Sequence, residues 1–107
     1  MNMSGFDERQ KSFEKKMVLD AEQEFKLQAR RNKLLGLWVA KKLGKSDEEA
    51  SEYAMAVIKA DMEEDGDEDV FRFVKQELIA GGESLSDAQI REKMDVFLTE
   101  ARAQLFD

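Results

Sequence analysis

The chain of 107 residues contains no proline, and its six glycines are thinly spread. Almost nothing interrupts helix, because helix breaking falls mainly to these two residue types. Gly44, Gly66 and Gly81-Gly82 therefore read as stops between helices. Ser46-Asp47-Glu48-Glu49 and Ser86-Asp87-Ala88-Gln89 read as starts, since each fits a capping box with reciprocal side-chain bonds to free backbone amides. Asp20-Ala21-Glu22-Gln23 is a further start signal.

Apolar spacing fills in the helices. Ala50, Tyr53, Ala54, Val57, Ile58, Asp61 and Met62 recur at three and four residues, and all but Asp61 suit a buried stripe. The sequence places the end of that helix at Gly66 and the cap of the next at Asp67. Val70, Phe71, Val74 and Leu78 form the inner face of that next helix. Ile90, Met94, Phe97, Leu98, Ala101 and Leu105 form the last stripe. Gly36 lies inside the first strongly apolar helix, where glycine costs about 1 kcal/mol against alanine. A close helix–helix approach would explain its use there. Trp38, the only tryptophan, is expected in the core. The reading is all-α: a four-helix bundle with helices near 21–43, 47–64, 67–80 and 87–104. A flexible or partly helical segment precedes it, dividing the chain into residues 1–20 and a bundle over 21–107.

Charge and composition narrow the function. Residues 21–45 carry two acids and seven bases, a net +5, while residues 46–107 carry eighteen acids and six bases, a net −12. The overall charge of −7 disfavours nucleic acid as a partner. The basic stretch suits an acidic protein surface or the chain's own acidic half. The chain has neither histidine nor cysteine, so the commonest general base, metal ligand and thiol nucleophile are missing. No enzyme, cofactor or metal is expected. The acidic run from Asp61 to Asp69 imitates a calcium loop with Gly66 at its sixth position, but Arg72 stands where a bidentate Glu is required. There is no apolar run long enough for a membrane span and no signal-peptide pattern. A cytoplasmic protein, monomeric when free, is the expectation.

Residues 1–20 carry few apolar side chains among four acids and four bases, too few to offset the entropy of ordering alone. Phe6, Phe13 and Met17 nevertheless fall near one helical face. The pattern leaves two readings open: a peptide that folds into a partner's groove, or a terminal helix packed loosely on the bundle. It also leaves open a small acidic adaptor or a carboxylate-lined ligand module as the function of the whole.

A resemblance bears on this choice. Phe6, Arg9, Phe13-Glu14, Lys16, Asp20, Glu24-Phe25, the run from Ala29 to Trp38, Ala40 and Leu43-Gly44 resemble the zeta subunit of bacterial F-type ATP synthase. Glu49-Ala50, Tyr53-Ala54, Val57, Ala60-Asp61 and Glu68-Asp69-Val70 extend the likeness. Arg30 to Leu37 is its most specific block; Gln10, Met17 and Val18 depart from the family pattern. The resemblance implies a regulatory subunit that inhibits ATP hydrolysis, with the N-terminal segment as inhibitory element. That segment enters an alpha/beta catalytic interface and blocks rotation in the hydrolytic direction. The implied partners are the alpha and beta subunits of the catalytic head, with gamma as a third candidate, and the location is peripheral to the membrane. The expected partner-binding residues are Phe6, Arg9, Phe13, Glu14, Lys16, Met17, Asp20, Arg30, Arg31 and Lys33. The first six and Asp20 come from the segment, and the three cations from the basic stretch.

Overall fold

The structure, a computed structural model, describes residues 19–63 and 66–106. Four helices follow one another: α1 (Ala21–Lys42), α2 (Asp47–Ala60), α3 (Glu68–Ala80) and α4 (Asp87–Phe106). The described residues contain no strand.

Three starts are capping boxes. Asp20 accepts from the Gln23 amide at 2.8 Å, and Gln23 accepts from the Asp20 amide at 3.1 Å. Ser46 with Glu49 and Ser86 with Gln89 repeat the arrangement. α1 stops at Leu43, where Gly44 enters the left-handed region at φ 75°. The Lys45 amide then reaches the Ala40 carbonyl at 2.9 Å and the Gly44 amide reaches Lys41 at 3.1 Å. This pair of bonds satisfies carbonyls that the helix end leaves open.

α1 is the central element, packing against α2, α3 and α4. Leu35, Val39 and Ala40 of α1 meet Tyr53 and Val57 of α2, Val70, Phe71, Val74 and Leu78 of α3, and Ile90 and Met94 of α4. The inner face read for α3 is fully buried. Gly36 sits where α1 crosses α2: a Cβ added there would lie 2.7 Å from the Ala54 Cα. The expected close approach is therefore backbone against backbone.

Three sequence expectations need correction. α2 ends at Ala60, with Asp61 as its C-cap, rather than reaching Glu64 and Gly66. Acidic groups at a helix C-terminus oppose the helix dipole and repel one another, so Asp61 and Glu63 end the helix early. Met62 consequently leaves the stripe and is 62% exposed. Asp67 makes no side-chain cap to α3; its carboxylate faces Arg91 at 3.4 Å instead. Trp38 is only half-buried, at the rim of the core. It is tilted against Phe97 at a centroid distance of 6.3 Å, with Lys42 and Lys93 near its ring at 5.8 and 5.5 Å. Its size and ring electrostatics suit a site where one face meets cations.

Candidate partner-binding surface

The expected site residues separate into four environments. Phe6, Arg9, Phe13, Glu14, Lys16 and Met17 lie outside the described residues. Asp20 is exposed and caps α1. Arg30 is half-buried, and its Nη1 donates to Gln104 Oε1 on α4 at 2.7 Å. Lys33 is exposed and forms no ion pair among the described residues.

Arg31 turns inward and is only 2% exposed. Its Nε donates to Asn32 Oδ1 at 2.6 Å and its Nη2 to Gln28 Oε1 at 2.8 Å. Asn32, equally buried, passes the chain on by donating to Asp61 Oδ2 at 2.9 Å. Burial pulls the Arg31 guanidinium below its ordinary range, while the fields of Asp61, Asp67 and Asp95 partly restore it. The structure thus joins Arg31 to the acidic half through a neutral bridge. This network ties α1 to the end of α2, and helical spacing alone gives no sign of it.

The cations at and just beyond the end of α1 are paired within the bundle. Lys42 pairs with Glu83 at 3.7 Å and Lys45 with Glu77 at 3.3 Å. Arg91 of α4 lies 4.0 Å above the Phe71 ring and bonds Glu68 at 2.7 Å. The far end of α1 is therefore matched internally, while its first half keeps Lys26, Arg30 and Lys33 beside solvent-open depressions. Phe25, Met55 and Met62 are exposed at this same end. That apolar surface went unseen in the sequence, where Met62 fitted a buried stripe.

The described residues hold no cluster of three or more His, Cys, Asp or Glu able to bind a metal. None of the described helices is long and apolar enough to cross a membrane. Fold and surface together define a small all-α bundle with one matched end and one open, mixed basic and apolar end.

The family model for ATPase inhibitor subunit zeta matches residues 3–104, and the chain belongs to that family. A solved structure described as the solution NMR structure of a protein is 50% identical, with a TM-score of 0.69, over 78% of this chain and 95% of that one. No match is found among curated proteins. Family membership supports an inhibitory, regulatory and non-catalytic role and implies interaction with the F-type ATP synthase.

Proposed function

We propose that the bundle over residues 21–107 anchors this subunit on the catalytic head, and that residues 1–20 form its inhibitory element. The segment binds as a helix at an alpha/beta interface and stops hydrolysis by obstructing rotation. One observation carries the division of labour. The buried core runs from Leu27 to Ala101, and the capping box at Asp20 starts α1 independently of what precedes it. Among the described residues the core is assembled from α1 to α4, which supports reading the segment, with Phe6 and Phe13, as the part that meets a partner.

Anchoring makes the inhibitory contact effectively intramolecular, so modest contacts suffice. Arg30 and Lys33 face acidic groups of the synthase in this reading, with alpha and beta as the principal partners and gamma as a third. Arg31 supports them from inside the bundle. The subunit works at the membrane periphery through the synthase. The test is hydrolysis by the purified catalytic head with the full chain and with residues 1–19 deleted. Loss of inhibition with an unchanged circular-dichroism melt supports the assignment. Undiminished inhibition places the element in the bundle.

A further inference from the structure

One end of the bundle leaves apolar surface uncovered. Phe25, Met55 and Met62 are 57%, 64% and 62% exposed. Three adjoining depressions meet there, and Ile58 lines every one of them. The depression between α1 and α2 has a volume of about 380 Å³. Met55 and Ile58 of α2 and Met62 just past its end together line one of these depressions.

The chain itself leads to this groove. Ala21 and Glu24 line the α1–α2 depression, so the backbone enters α1 at its edge. Asp20 is extended, with φ −76° and ψ 173°, and the chain changes direction just ahead of the opening. Eighteen residues precede Leu19. The nearest upstream anchors are Met17 and Phe13, four residues apart like Ile58 and Met62. Met17 to Asp20 spans at most about 10 Å, so the groove edge is within reach of the first anchor. The charges also match in order. Lys15 and Lys16 stand beside Met17 in the sequence, and the near edge of the groove carries Glu24 and Asp61. Glu14 lies further upstream, and the adjoining depression carries Lys59.

We propose that residues 13–18 of this chain fold back into the groove, seating Phe13 and Met17 against Ile58 and Met62 as a parked state of the inhibitory segment. Its regulatory meaning rests on the inhibitory role proposed above; the docking itself does not. The groove is shallow and open, so the seat is reversible, and the synthase interface competes with it for the same two anchors. Parking lowers the fraction of segment ready to bind and hence the apparent affinity by that fraction.

The absence of cysteine makes the test direct. Ser12→Cys in the full chain takes a single nitroxide label, and methyl signals report its proximity in the free protein. The expected result is several-fold broadening of Met55, Ile58 and Met62 methyls, with Ile79 on α3 unaffected. Adding Phe13→Ser with Met17→Ser should restore the signals. Absent broadening, or uniform weak broadening at all methyls, would overturn the proposal. Met55→Ser with Met62→Ser should leave inhibition of the catalytic head intact or stronger, since it frees the segment. Weakened inhibition with no broadening in the free protein would assign the groove to the synthase and overturn parking. Because broadening is read without synthase, it stands or falls independently of whether the segment inhibits.

Discussion

Gly36→Ala tests the packing of the central helix with one methyl group. In an unconstrained helix this change stabilises by about 1 kcal/mol, because glycine loses more backbone entropy on folding. Here the new Cβ would stand 2.7 Å from the Ala54 Cα, 3.3 Å from its Cβ and 3.2 Å from a Val57 methyl. The closest obstacle is backbone of a packed helix and cannot rotate aside. α1 and α2 must separate, loosening contacts among Leu35, Val39, Tyr53 and Val57. Overpacking of this kind costs about 1–3 kcal/mol. With the propensity gain set against it, a net loss of up to about 2 kcal/mol remains, or roughly 4–8 °C in Tm for each kcal/mol in a domain of this size. Thermal unfolding followed by circular dichroism at neutral pH would measure it. A Tm above that of the parent, as the propensity gain alone would give, would refute the backbone contact.

Three further outcomes follow from individual side chains. Tyr53 is buried, its hydroxyl has no hydrogen-bond partner among the described residues, and burial followed by the Glu77 field raises its pKa. Its contribution to stability is therefore full below the unfolded-state pKa of about 10 and falls as pH rises beyond it. Tyr53→Phe should be neutral to stabilising at pH 7 and should flatten the alkaline loss seen in pH-dependent urea melts. Asn32→Ala should cost about 2–4 kcal/mol by stranding Arg31 and Asp61, whereas Arg31→Met should cost less than about 1 kcal/mol; urea midpoints compare them. Calcium in physiological salt should leave the Gly66 and Asp67 amide resonances unmoved, because Arg72 stands at the twelfth position of the loop.

The sequence was most legible where one local force acts alone. Capping at Asp20, Ser46 and Ser86 depends on residues three apart, and all three helix starts follow it. The α3 face was equally readable, since Val70, Phe71, Val74 and Leu78 are apolar and answer to one period. Legibility failed where tertiary context chose between plausible roles. Met62 fits the α2 stripe, yet the acidic run beside it ends the helix first. Arg31 and Lys33 look alike in sequence; one is buried against Asn32 and Gln28 while the other meets solvent. Periodicity places residues on a face but does not say whether a neutral acceptor waits there. For Phe6, Arg9, Phe13, Glu14, Lys16 and Met17, the signal came from the family likeness.

The central claim is that the N-terminal rings carry inhibition while the bundle only holds them in place. The direct measurement is ATP hydrolysis by the purified catalytic head, titrated with the full chain and with Phe6→Ala/Phe13→Ala. Each ring buried in an interface contributes roughly 1.5–3 kcal/mol. The account predicts that the doubly substituted chain needs at least about 100-fold higher concentration for half-inhibition, with an unchanged thermal melt. Equal inhibition by the two chains would contradict it.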